Sequence, residues 1–397
     1  MNSSSKIRVL LLDDHEISGE VGGGQFARLS LYGRLDRSRF EPVLLTSIDG
    51  RLAEMAKARG IRVEIEPINL GFDWFDRESI AAYPSQLPRL AKHVLGASLR
   101  LKEVIRRLQP AILHPNENLS RLVASAASPF VECSCVTHVD NLFSDTWVDR
   151  FVCELWAHSF DHLVPVSQEA AAPFERTFAR TDDRMTVIPE AIEPEDFLGL
   201  DSGYVRDEFS VPPESILISS VGRLVELKRQ DWLIRAVAAL DETLRSEVCV
   251  LLVGDGPNLQ SLRKLADSLG VSESIRFTGH RDDVPAILSE TDLSVLCSRT
   301  EACPRVVIES LAAGCSVIAT DVGNVRHMLA DGRFGRIVTS GQPAEFIEVF
   351  RETVRRLAST GHEPLHDVEK QRQHVREHFS WERCVQATQE VFERVNA

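Results

Sequence analysis

Two carboxylates, Glu301 and Glu309, stand eight positions apart near the C-terminal third of the chain. Glu309 interrupts an apolar, small-residue run over 306–313, where a charge needs a partner to offset its lost hydration. Two cations, Arg223 and Lys228, lie five apart behind an apolar run. A fork-shaped guanidinium and an ammonium converging on one anion suit a diphosphate. Gly22, Gly23 and Gly24 offer bare backbone N–H groups at the start of a helical pattern, another place for a phosphate. They do not form the G-x-G-x-x-G fingerprint, which occurs nowhere in the chain. Gly222 and Gly254 each follow an apolar run, and His138 ends one. Cys133 and Cys135 lie one residue apart with no second pair at zinc-ligand spacing, so no metal site is expected. No G-x-S-x-G or H-E-x-x-H motif is present.

The elements that must position these residues alternate. Short apolar runs at 7–12, 42–45, 61–65, 111–113, 130–136 and 163–166 read as strands, and most are separated by helical patterns such as 87–108. A second series begins beyond 187–194, with strands at 216–221, 248–253, 275–277, 293–296, 316–319 and 336–338. Strands alternating with helices predict parallel sheets covered on both faces. In such sheets ligands sit beyond the carboxyl ends of the strands, where Arg223 and Lys228 fall. The segment 187–194 reads as a linker, and 379–395 as an amphipathic helix capped by Ser380. The expected domains are 1–194, 195–378 and a closing helix at 379–397 that packs back toward the first domain.

At 397 residues the chain suits two domains. The formal charge of −14 is spread as −5 up to residue 194 and −9 after it, so neither half is built for nucleic acid. The start shows no apolar leader core, no run is long enough to span a membrane, and eight scattered cysteines suit reduced thiols. The cytoplasm is the expected compartment. Arg89, Lys92, Arg100, Lys102, Arg106 and Arg107 share one helical stretch; a solvated face is preferred to a peripheral membrane contact.

Taken together, Arg223 with Lys228, the loop Gly254-Asp255-Gly256-Pro257, Phe277-Thr278-Gly279 and the E-x7-E pair Glu301/Glu309 resemble the retaining glycosyltransferases of family GT4. The resemblance runs over nearly the whole chain, and its second-domain motifs are the specific ones. It implies the GT-B fold, two Rossmann-like αβα domains facing each other across a deep cleft. It also implies metal-independent transfer of a sugar from a UDP- or GDP-linked donor, with no cofactor, to a hydroxyl on a small-molecule, lipid or glycan acceptor. On this resemblance Glu309 accepts hydrogen bonds from the ribose hydroxyls, since a carboxylate can serve two vicinal donors. Glu301 lies against the donor sugar, with Cys303, Pro304, Arg305 and Val306 lining the donor at a helix start. His138 resembles the family's first-domain histidine near the reacting sugar, Arg223 and Lys228 become the diphosphate clamp, and Arg281 faces the base. The chain departs from its relatives at Ala302-Cys303-Pro304-Arg305, where Gly and Phe-Gly are frequent, and this leaves the sugar open. A sugar-nucleotide 2-epimerase would need a glycine-glycine-glutamate loop that 321–324 does not supply. A phosphorylase-like enzyme would need a far longer chain. A silent nucleotide-sugar-binding module remains the alternative from another class.

Overall fold

A computed structural model of the chain describes residues 6–13, 23–68, 85, 87–144, 146–175, 183–200 and 203–397. It divides into two compact units, Met1–Pro189 with Cys384–Ala397, and Glu190–Arg383.

The first unit holds β1 (Ile7–Leu12), α1 (Gly23–Gly33), β2 (Phe40–Thr46), α2 (Arg51–Ala58), β3 (Arg62–Ile65), α3 (Leu87–Leu108), β4 (Ile112–Pro115), α4 (Asn118–Ala127), β5 (Ser134–Val139), α5 (Trp147–Ser159), β6 (His162–Pro165) and α6 (Gln168–Glu175). Its strands pair in parallel in the order β3-β2-β1-β4-β5-β6. The continuous apolar runs follow from this, because a strand covered on both faces has no solvent side for polar residues. Residues Val9 to Leu12 of β1 are fully buried. Trp156 stacks on Phe174, with Phe143 edge-on to both, in the core of this unit.

The second unit repeats the plan with α7 (Tyr204–Glu208), β7 (Ile216–Val221), α8 (Gln230–Ala238), α9 (Glu242–Ser246), β8 (Val248–Val253), α10 (Leu259–Ser268), β9 (Ile275–Gly279), α11 (Val284–Ser289), β10 (Leu293–Leu296), α12 (Arg305–Ala313), β11 (Ser316–Thr320), α13 (Val325–Met328), β12 (Arg336–Val338), α14 (Pro343–Thr360) and α15 (Val368–Phe379). The order is β12-β11-β10-β7-β8-β9, again all parallel. Each sheet grows outward in both directions from its first strand, so a crevice opens between β1 and β4 and between β7 and β10. A final helix, α16 (Trp381–Asn396), sends its Phe392 against Tyr32 and Phe40 of the first unit.

One strand departs from expectation. The run over 130–136 is not a strand from its start: Ser128–Phe130 forms a 3-10 turn and β5 begins at Ser134. Pro129 suits the first positions of such a turn, and Phe130 is 65% exposed, with Lys102 placed over its ring. Pro304 takes the N-cap position of α12 rather than a place within its first turn. No helix among the described residues is long and apolar enough to cross a membrane.

Candidate functional site

At the crevice of the second unit, Gly222 leaves β7 with φ 152°, and the chain turns through Arg223 into the short turn that ends at Lys228. Gln230 holds this loop by donating to the Arg223 carbonyl at 3.0 Å. Gly254 at the end of β8 approaches so closely that a Cβ would collide with the Gly222 carbonyl, and its own φ of 132° suits only glycine. The Arg223 side chain is exposed. Lys228 reaches across to the loop behind β10, where its Nζ lies 2.5 Å from Glu301 Oε1, and Ser298 Oγ donates to the same oxygen at 2.6 Å. Gly323 backs this loop, since a Cβ there would meet the carbonyls of Glu301 and Ala302.

Helix α12 then carries Glu309. Val307, Ile308 and Leu311 enter the core of the unit, while Glu309 takes the neighbouring strip, its side chain 15% exposed. Arg305, one turn earlier, places Nη2 3.2 Å from Glu309 Oε1. Burial pushes the Glu309 carboxyl above the usual carboxylate range, and the guanidinium pulls it part of the way back. Cys303, Arg305 and Val306 are half-buried around the helix start, and Pro304 is buried. Arg281 has other company: it donates to both oxygens of Glu208 at 2.6 and 2.9 Å and to both of Asp283 at 2.8 and 2.7 Å. Its guanidinium is thus shared between those two carboxylates in this structure.

In the first unit Gly22 lies outside the described residues, while Gly23 and Gly24 open α1. Gly24 stands where a Cβ would be 3.6 Å from Asp140 Oδ2. Around it lies a polar network that sequence reasoning passed over. Asp13, directly after β1, accepts from Gln25 Nε2 at 2.9 Å and Asn116 Nδ2 at 2.6 Å. Asn116 accepts from Arg28 Nε at 3.2 Å. Arg121 is buried, stacks over Trp156, and donates to Asp140 Oδ1 at 2.8 Å and to the His138 carbonyl at 2.7 Å. Burial alone would raise the Asp140 carboxyl, but Arg121 and Arg28 outweigh it and hold it below its ordinary value. At Glu117 the balance goes the other way: burial, with Asp13 and Asp140 beside it, outweighs the pull of Arg121 and Arg28 and pushes its carboxyl up to about 8. The readable signal was an arginine at an otherwise apolar helical position, as with Arg121 before Leu122 and Val123.

His138 is buried, with Nδ1 2.8 Å from His114 Nε2. Burial, then the field of Arg28, His114 and Arg121, holds its imidazole well below the usual histidine range. Arg223, Lys228, Glu301 and the loops of Gly222 and Gly254 therefore share one strand-end crevice, and His138 belongs to the network of the other unit. Among the described residues no group of three or more His, Cys, Asp or Glu side chains is placed to hold a metal ion.

Residues 205–357 match the family model of glycosyl transferases group 1. A lipopolysaccharide core biosynthesis glycosyltransferase, LpsE of Rhizobium meliloti, is 35% identical over 166 residues, 40% of this chain and 47% of that protein. D-inositol 3-phosphate glycosyltransferase 2 of Catenulispora acidiphila is 27% identical over 59% of this chain and 56% of its own length. The chain thus spans about half the length of these curated relatives. Among solved structures, Anabaena HepE in complex with UDP-glucose superposes with a TM-score of 0.76 at 20% identity, covering 98% of this chain and 99% of that one. The segment 205–357 therefore carries a group 1 glycosyl transferase domain, on a chain whose two Rossmann-like units have the GT-B fold.

Proposed function

We propose that the chain is a retaining glycosyltransferase of family GT4, moving a sugar from a nucleoside-diphosphate sugar to an acceptor hydroxyl without a metal ion. One observation carries the reading: Lys228 pairs with Glu301 at the crevice between β7 and β10, with Arg223 on the same loop after β7, inside the segment matched to the family. In the reaction the acceptor oxygen bonds to the anomeric carbon as the bond to the diphosphate oxygen breaks. The electron pair leaves with the diphosphate, and the proton of the acceptor hydroxyl passes to that departing oxygen on the same face. Arg223 and Lys228 stabilise the charge that grows there, the task a divalent metal performs elsewhere. Glu309 takes the ribose hydroxyls and Glu301 the sugar. UDP is the nucleotide proposed first, because HepE was solved with UDP-glucose. Eight free thiols support a cytoplasmic setting.

Thermal-shift titration with UDP-, GDP-, ADP- and dTDP-sugars tests the donor, since a ligand of the folded state raises its apparent stability. Proton NMR of fresh product from an α-linked donor should show an α linkage, with turnover unchanged by a chelator. A β product overturns retention, and loss of turnover in chelator overturns the metal-free mechanism.

A further inference from the structure

In the first unit three buried side chains form a line. Tyr32 of α1 places its hydroxyl 2.6 Å from His114 Nδ1, and His114 Nε2 lies 2.8 Å from His138 Nδ1. The register explains the juxtaposition: β4 and β5 pair Leu113 with Cys135, so His114 and His138 project from the same face of the sheet. Phe392 of α16 closes the line edge-on, with ring centroids 6.5 Å from Tyr32 and 5.9 Å from His114. His138 Nε2 is buried and has no hydrogen-bond partner among the described residues.

Proton bookkeeping assigns the direction. Burial and the neighbouring Arg28 and Arg121 disfavour a charge on either imidazole, and burial keeps the Tyr32 phenol protonated. Each neutral imidazole carries one N–H. If Tyr32 donates to His114 Nδ1, then His114 Nε2–H donates to His138 Nδ1, and only the Nε2–H of His138 lacks a partner. If the line runs the other way, both the Tyr32 hydroxyl proton and the His138 Nε2 lone pair are buried without partners. A second orphaned buried group costs roughly 1–3 kcal/mol, so the first direction wins.

We propose that Tyr32 and His114 are positioning residues that lock His138 as its Nε2–H tautomer, making it a neutral hydrogen-bond donor to an oxygen of the substrate. It is then neither the general base nor the general acid of the reaction. The substrate part rests on the glycosyltransferase reading above; the tautomer lock does not.

Protein labelled with 15N-histidine decides the lock, because long-range proton–nitrogen spectra distinguish protonated from bare ring nitrogens. In the unliganded wild type His138 should carry its proton on Nε2, unchanged from about pH 6 to about pH 8, where an ordinary histidine titrates. Tyr32→Phe keeps the ring packed on Phe392 but removes the donor that sets the direction, so His138 should become a mixture of tautomers. UDP release from UDP-glucose should then slow by about twofold or more, following the lost fraction of competent tautomer. A wild-type proton on Nδ1, a titrating His138, or an unchanged tautomer in Tyr32→Phe overturns the lock. An Nε2–H spectrum without any turnover of nucleotide sugar supports the lock and overturns the donor role together with the reading on which it rests.

Discussion

Lys228 cannot serve a diphosphate and Glu301 equally. Its ammonium is 2.5 Å from the Glu301 carboxylate, with side chains 28% and 16% exposed. A donor diphosphate arriving at Arg223 and Lys228 must compete for the ammonium while being repelled by the carboxylate behind it. Glu301→Gln removes both obstacles, keeps the side-chain size, and leaves the amide able to accept from Ser298. Two unit charges at about 4 Å interact by about 4 kcal/mol at an effective dielectric of 20, but a pair this exposed is screened to nearer 1 kcal/mol. UDP should therefore bind Glu301→Gln more tightly by about 3- to 10-fold, while turnover falls because the sugar loses its facing carboxylate. Calorimetric titration of UDP measures the first and coupled assay of UDP release the second. The affinity gain should shrink in high salt, and most of it should vanish in a Lys228→Ala background, which makes the test a double-mutant cycle. If Glu301→Gln binds UDP no better than the wild type, Lys228 is not a phosphate ligand and the clamp has been misassigned.

Arg223→Ala and Lys228→Ala should each lower kcat by about 100-fold or more with the fold retained, as measured by UDP release alongside circular dichroism. Glu309→Gln should weaken UDP by roughly 10- to 150-fold but leave a 2′,3′-dideoxy analogue about as weak as it is with the wild type, by calorimetry. Because burial raises the Glu309 carboxyl, wild-type affinity should fall on acidification earlier than an ordinary carboxylate would dictate, and Glu309→Gln should show no such fall. Glu117, with a folded value of about 8, holds its proton in the native state while the unfolded chain has lost it. Wild-type stability should accordingly decline between about pH 5 and about pH 8, a slope that Glu117→Gln should flatten in urea titrations.

The second unit was readable because its chemistry is local. Strands Ile216–Val221, Val248–Val253, Leu293–Leu296 and Arg336–Val338 coincide with apolar runs whose ends are marked by glycine or polar residues. Arg223 and Lys228 follow one of these runs, and Glu301 and Glu309 flank a single helix start, so spacing in the chain is nearly spacing in the site. Arg281 shows the limit: its position after β9 was legible, but not that Glu208 and Asp283 would take up its guanidinium.

The first unit hides its polar network because no short stretch contains it. Asp13, Asn116 and Asp140 follow β1, β4 and β5, and the chain passes through β2 and β3 on its way from β1 to β4, which sets Asp13 and Asn116 103 positions apart in sequence. Only the strand order, with β1 beside β4 and β4 beside β5, brings them into one polar network, Asp140 joining it through its ion pair with Arg28. The Tyr32–His114–His138 line is more distributed still, since its seal, Phe392, comes from the last helix of the chain. A histidine at a strand end shows in sequence only as a titratable ring. Its neighbours decide whether it exchanges protons or merely offers one, and here two buried arginines and a buried phenol argue for the second.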